Sequence, residues 1–396
     1  MNKSDEIVKR IKDLIGDEIK GVQVHEPTFV GTNASVYLDN CIKTGWVSTA
    51  GKWVLRFEEL ISEFTGAKYT IAVNNGTSAL RLALFIVGVR AMDEVIIPPL
   101  SFVATANAIS HLGALPHFID IEPNTLGMCP KALESRLEQI AVRRGKYLFN
   151  KVTGNKIKAV VPVHVFGLPA KILEINRICL KWNLPLVEDA AEALGSLISI
   201  SDNDKRHCGC FGDIGMLSFN GNKIITTGGG GALLTDNFEM AKLAKHLSST
   251  AKLNHPWEFY HDEIAWNDRL PNINAALGVS QIESLETKIR NKRILHSKYK
   301  EIFDDLDNIE ILEEGINCES NYWLSTIRIL GDQPEILRNE ILSCAHSSKI
   351  FLRPSWTLIN ELPMYKDSVS ADLSEAYNQS KRLINLPSSP QLIDQN

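Results

Sequence analysis

Between residues 52 and 63, apolar side chains recur at Val54, Phe57, Leu60 and Ile61, the spacing of one helix face, and Gly66 follows where such a helix would stop. A short apolar run at 69 to 73 predicts a strand. The loop Asn-Asn-Gly-Thr-Ser then leads into a helical stretch at 79 to 88, and a second buried strand is expected at 94 to 98. The alternation continues with helix 102 to 112, strand 116 to 120, helix 130 to 142, strand 158 to 163, helix 170 to 182 and strand 184 to 189. Two further strands are expected at 214 to 219 and 231 to 235. Strands alternating with helices predict an α/β fold, with a mainly parallel sheet covered by helices on both faces. Residues 143 to 156, RRGKYLFNKVTGNK, interrupt the rhythm and read as an exposed insertion without chemistry.

The ends of the chain follow other patterns. Ile7, Ile11, Leu14 and Ile15 stand at helical spacing among mixed acids and bases, an amphipathic helix rather than the apolar core of a signal peptide. Near Asn274 a helical stretch of about thirty residues begins, carrying Glu283, Glu286, Lys288 and Lys292 at regular spacing, and is expected to link two domains. Beyond it, strands near 309 to 312, 322 to 330 and 348 to 353 and helices near 333 to 343 and 371 to 382 predict a smaller α+β unit. The expected division is therefore an N-terminal helix and lead-in at 1 to 50, a large domain at 51 to 272, and a linking helix with a small domain at 273 to 396.

Composition narrows the function classes. The chain has 396 residues, 44% hydrophobic and 22% charged, enough for a full core and two packed units. Its 42 basic and 47 acidic side chains leave a formal charge of -5, so nothing points to nucleic acid. No apolar run reaches the roughly 20 residues of a membrane span. Seven cysteines lack framework spacing, which favours a reducing compartment, and a cytoplasmic location is expected. Only Cys208 and Cys210 lie close together, without a second pair, so no metal is expected.

Three loops follow predicted strands, where ligands of parallel sheets usually sit. In NNGTSAL, Gly76 lets the backbone approach closely, and Thr77 and Ser78 open a helix whose amides suit a phosphate or serve as a simple cap. In VEDAAEALGS, two acids end an apolar strand; burial there calls for partners, and Asp189 wants a cation unless it merely caps the next helix. In SFNGNKIITTGGGGALL, Lys223 lies between a polar turn and four glycines, where a desolvated amine can act as nucleophile and general base. A phosphate cradle, a carboxylate after a strand and a lysine in a glycine-rich turn are together what pyridoxal phosphate needs.

The ordered series NNGTSALRLAL, PPLSFVATANAI, VPVHVFGLPA, VEDAAEALGS, GDIGMLSFNGNKIITTGGGGAL and WNDRLPNINAALG resembles the DegT/DnrJ/StrS group of sugar-nucleotide aminotransferases. That group has the aspartate-aminotransferase-like, type I pyridoxal-phosphate fold, and the likeness covers nearly the whole chain. EPTFVGTNASVYLDNCIKTGWVSTAGK, SFNGNK and AKLNHPWEFYHDEI look most like its LegC-like branch. The resemblance implies that Lys223 carries the cofactor as a Schiff base, Asp189 pairs with the pyridine nitrogen, and Phe102 stacks on the ring. It gives Thr77, Ser78 and Ser218 to the phosphate, and Asn267 to the phosphate of a neighbouring subunit's cofactor, hence a homodimer with shared sites. The implied reaction passes an amino group from glutamate to a 4-keto-6-deoxy sugar nucleotide, UDP- or GDP-linked and expected to carry a 2-acetamido group. His164, Arg353 and Trp356 are candidates for the sugar or nucleotide site, with core or surface packing as the alternative.

The chain departs from the family pattern in two places. Glu192 stands where many members have His or Gln, and a carboxylate beside the cofactor's phenolate oxygen needs a proton or a cation. Asp268 in WNDR adds negative charge near a phosphate site, where it is expected to weaken binding. Two other readings remain open: a related sugar dehydratase, which typically has histidine in place of the lysine, and a non-catalytic binding or regulatory protein of the same fold.

Overall fold

The computed structural model describes residues 3 to 16, 21 to 201 and 203 to 393. Its main sheet is built from β1 (Tyr69–Val73), β2 (Glu94–Ile97), β3 (Leu115–Phe118), β4 (Lys156–Val160), β5 (Val187–Asp189), β6 (Ile214–Ser218) and β7 (Gly231–Thr235). β3, β2 and β4 run parallel, as do β5 and β6, whereas β7 pairs antiparallel with both β6 and β1. Parallel bridges Val160–Leu186 and Val163–Asp189 join the two groups edge to edge. The strands read as continuous apolar runs because they are buried on both faces: every residue of β2 and β7 is buried.

Residues 143 to 156 are mostly exposed, as expected, but they are not without secondary structure. Ala141–Arg144 and Tyr147–Asn150 form a hairpin that extends the sheet antiparallel to β4. Glu94, fully buried at the start of β2, pins it by accepting from Asn150 Nδ2 (3.0 Å) and Thr153 Oγ1, and also bonds His117 Nδ1 (2.8 Å). Charged residues on the outer strand hid the pairing from a hydrophobicity pattern.

Helix α1 (Lys3–Ile15) buries Ile7, Ile11 and Ile15 not against the residues that follow it but in a second apolar cluster with Leu295, Tyr299, Ile327, Ile341 and Ile384. That cluster lies on a small sheet of β8 (Ile309–Ile311), β9 (Thr326–Ile329), β10 (Arg353–Pro354) and β11 (Leu383–Asn385), ordered β8-β9-β11-β10 and antiparallel throughout.

Two expectations from the sequence need correcting. The long helix is two, α5 (Asn272–Ile282) and α6 (Leu285–Phe303), broken where Ser284 Oγ donates to Gln281 O (3.0 Å). The charge spacing runs through the break, so periodicity alone could not find it. The strand expected at 322 to 330 shrinks to β9, because side chains take the amides a sheet would use: Tyr322 N donates to Ser320 Oγ (2.9 Å) and Trp323 N to Asn321 Oδ1 (2.8 Å). This strap, residues 320 to 324, runs back to the main sheet. No helix of the described residues is long and apolar enough to cross a membrane.

Candidate active site

A cavity of about 340 Å³ opens at the C-terminal ends of β5 and β6, where parallel sheets place their ligands. Helix α2 (Gly76–Ile86) begins at its edge. Asn75 caps this helix, its side chain accepting from Ser78 N (2.8 Å), and the first intrahelical bond runs from Ala79 N to Asn75 O. The amides of Gly76 and Thr77 precede that bond, so they belong to the turn whose N–H groups helices leave for other acceptors. Gly76 is required here: a Cβ would lie 2.9 Å from Ser218 Cβ, and the missing side chain lets Ser218 stand against the helix start. Gly231 in the glycine run does the same from β7, where a Cβ would meet the Asn75 carbonyl at 2.6 Å. Asn75, Gly76, Thr77 and Ser218 all line the cavity; Ser78 is buried behind them.

Asp189 forms the floor. It is 6% exposed, and its Oδ2 accepts from Thr105 Oγ1 (2.8 Å) and its Oδ1 from Ala191 N (3.2 Å). Burial pushes its pKa up against these bonds and the more distant charge of Lys223. No cationic side chain touches it among the described residues.

Lys223 reaches the same cavity from the turn after β6. Its Nζ is 3.1 Å from Glu192 Oε1, and Glu192 Oε2 accepts from Phe166 N (2.9 Å). Burial raises the Glu192 pKa, opposed by the Lys223 charge and the Phe166 amide. Lys223 is thus the cation that faces Glu192 in this structure. Phe166 is held at φ +56°, and its ring lies 4.9 Å from that of Trp356. Phe102, half exposed on the cavity wall, is 6.5 Å from Trp356 on the other side.

Three candidates lie elsewhere. His164 is fully buried, bonding Glu188 through Nε2 (3.1 Å) and accepting from Ala170 N through Nδ1 (3.1 Å), so neither nitrogen faces the cavity. Arg353 is exposed on β10 and does not line the cavity. Asn267 is exposed in a bridge with Ser249, also away from the cavity. Asp268 turns from the cavity: Arg81 and Asn74 hold its carboxylate, and Arg81 stacks 4.8 Å from the Trp266 ring. Its charge is therefore paired with that of Arg81. Thr105, Asn75, Asn222 and Trp323 belong to the cavity but carried no signal of their own beyond lying in the quoted motifs or, for Trp323, in none.

These residues fit pyridoxal phosphate. A carboxylate buried without a cation suits a protonated ring nitrogen, a lysine amine suits the aldehyde, and a glycine-opened helix start beside a serine suits the phosphate.

The family model "DegT/DnrJ/EryC1/StrS aminotransferase family" matches residues 30 to 396. The chain belongs to this family. Its members are pyridoxal-phosphate-dependent transaminases, and the chain is an aminotransferase of that kind. It is 35% identical over 376 residues to the GDP-perosamine synthase of Vibrio cholerae, covering 94% of this chain and 95% of that one. It is 32% identical over 284 residues to the UDP-4-amino-4,6-dideoxy-N-acetyl-beta-L-altrosamine transaminase of Campylobacter jejuni, covering 72% of this chain and 66% of that one. Among solved structures it is similar to Helicobacter pylori PseC, an aminotransferase involved in the biosynthesis of pseudoaminic acid. The TM-score is 0.81 at 26% identity, over 93% of this chain and 94% of that one. In this DegT/DnrJ/EryC1/StrS enzyme the fold is thus that of the type I pyridoxal-phosphate enzymes.

Proposed function

We propose that this aminotransferase moves the amino group of glutamate to the keto carbon of a 4-keto-6-deoxy sugar nucleotide, UDP- or GDP-linked. The product is a 4-amino-4,6-dideoxy sugar nucleotide for bacterial surface glycan or nonulosonic acid synthesis, with a 2-acetamido sugar as the first candidate. The observation that carries this is the convergence of Asp189 and Lys223 on one cavity beside the start of α2. The names of the Vibrio and Campylobacter relatives support a nucleotide-linked sugar, the second with a 4-amino-4,6-dideoxy product.

Bound pyridoxal phosphate supplies an electron-withdrawing ring that takes up the amino group from one substrate and gives it to the next. The chain does the rest. Asp189, held by Thr105 and Ala191, keeps a proton on the ring nitrogen. Thr77, Ser218 and the α2 amides hold the phosphate, and Phe102 covers the ring. Lys223 Nζ would hold the cofactor between turnovers and, as a free amine, would take the proton from the donor's α-carbon and return it as an acid. Glu192 gives the freed amine a hydrogen-bond acceptor at 3.1 Å. Trp356 bounds the sugar side. Asn267, exposed and not lining its own cavity, serves that of a second copy, making a homodimer with shared sites. The division at residues 50 and 272 and a cytoplasmic location belong to the same reading.

The test is the visible absorbance of the purified protein with pyridoxal phosphate, before and after glutamate, beside Lys223→Ala. A band that glutamate bleaches and that the variant cannot form supports the reading; its absence from the wild type overturns it. Assays with each UDP- and GDP-linked 4-keto sugar then name the substrate.

A further inference from the structure

Lys223 has a second neighbour besides Glu192. Its Nζ lies 4.0 Å from the centroid of the Trp323 ring, well inside the roughly 6 Å over which an aromatic face attracts a cation. Trp323 is 4% exposed, lines the cavity, and comes from the strap before β9, far from Lys223 in sequence.

We propose that Trp323 is a positioning residue for Lys223, its indole face and the Glu192 carboxylate forming a two-sided seat for the charged amine. This rests on the reading of Lys223 as the lysine that carries the cofactor.

The seat is built rigidly. Trp323 Nε1 donates to the carbonyl of Asn222, the residue before the lysine, at 2.8 Å. Its backbone N–H is held by Asn321 Oδ1 (2.8 Å), and its carbonyl accepts from Lys292 Nζ, fully buried on α6, at 2.9 Å. The indole therefore cannot swing away without breaking its Nε1 bond, and the backbone that carries it is held at two further points. The same strap fixes the opposite wall. Asn321 Nδ2 donates to the carbonyls of Glu192 and Leu194, each at 2.9 Å, and Leu324 N donates to the carbonyl of Phe166, whose amide bonds Glu192. One short segment thus sets both the π face and the carboxylate around the lysine.

An aromatic face distinguishes charge states: it favours the cation and is nearly indifferent to the neutral amine. Placed here, it gives the freed ammonium a defined resting position beside the cavity. A solvated lysine would otherwise sample many rotamers.

The experiment compares wild type, Trp323→Phe, which keeps a ring, and Trp323→Leu, which does not. Cofactor-free protein is labelled with acetic anhydride at neutral pH, and the Lys223 and Lys292 peptides are quantified by mass spectrometry. Loss of the contact should free the Lys223 amine from its seat and so speed its acetylation. A gain of about tenfold is expected in the leucine variant and no more than about threefold in the phenylalanine variant, within the roughly 2- to 30-fold such contacts provide. Labelling of Lys292 should stay at the wild-type rate in all three. Three results each overturn the proposal: unchanged Lys223 labelling in the leucine variant, equal gains in both variants, or a parallel rise at Lys292, which would mean that the strap had opened. In parallel, borohydride reduction of cofactor-loaded wild type and peptide mapping locate the cofactor. Attachment to a lysine other than Lys223 overturns the reading of the site and the proposal with it. Attachment to Lys223 with unaltered labelling in the variants overturns only the role of Trp323.

Discussion

Glu188 and Asp189 are neighbours at the end of β5, both buried, and because successive strand side chains point to opposite faces they meet different surroundings. Glu188 accepts from His164 Nε2 (3.1 Å) and from the amides of Gly209 (2.9 Å), Phe211 (2.5 Å) and Gly212 (2.6 Å). Burial pushes its pKa up, but these bonds outweigh it and hold the carboxyl below its usual range. Asp189 has one hydroxyl and one amide, and burial wins: its pKa is raised. A carboxylate that the fold satisfies is a structural part. One that the fold buries and leaves short of positive charge is a place kept for a cation brought from outside.

The contrast can be broken most directly by neutralising each acid in turn. Asp189→Asn should lower kcat by about 10²- to 10³-fold, as loss of a preorganised charge at a reacting centre does, while the melting temperature of the cofactor-free protein stays the same or rises. Glu188→Gln should do the reverse, costing about 3 kcal/mol in denaturant titration because it disrupts a fully buried charge network, with kcat nearly kept in the folded fraction. If both variants lose mainly activity, or both mainly stability, the distinction fails.

The pH dependence sharpens the contrast. The folded pKa of Asp189 is raised, so the folded protein binds more protons than the unfolded chain and the stability linked to Asp189 falls as pH rises through that pKa. The Glu188 contribution has the opposite sign, being present above the ordinary glutamate pKa and lost as pH falls through its lowered one. Chemical denaturation of cofactor-free wild type and Asp189→Asn across pH should show the decline that sets in above the ordinary aspartate pKa weakened in the variant, and bound cofactor should weaken it in the wild type.

Smaller effects test the supports. Thr105→Val removes the hydroxyl that holds Asp189 Oδ2 and should cost about 1 kcal/mol of transition-state stabilisation, roughly a fivefold drop in kcat, with little change in melting temperature. Asp268→Asn should leave cofactor affinity as it was, since Arg81 already holds that carboxylate. Markedly tighter cofactor binding would return Asp268 to the phosphate site.

Much of this was legible in one dimension. The alternation of apolar runs and helical faces gave the parallel sheet, and Gly76 in NNGTS marked a close backbone approach, which it makes to Ser218. The hairpin at 141 to 150 was hidden because its outer residues are polar, and the break between α5 and α6 because the charge spacing continues across it. His164 was drawn toward the site by its motif. In the structure its nitrogens serve Glu188 and the Ala170 amide.

What the sequence determined by itself was local: which segments are strands or helices, where glycine must stand, and that two acids end an apolar strand. Whether Glu188 or Asp189 would find partners depended on loops at 164 and at 209 to 212, and the seat around Lys223 depended on a strap some hundred residues away in the chain. Such choices are made by desolvation and by donors that arrive only when distant segments pack, so a carboxylate's or an amine's role is settled by its tertiary neighbours.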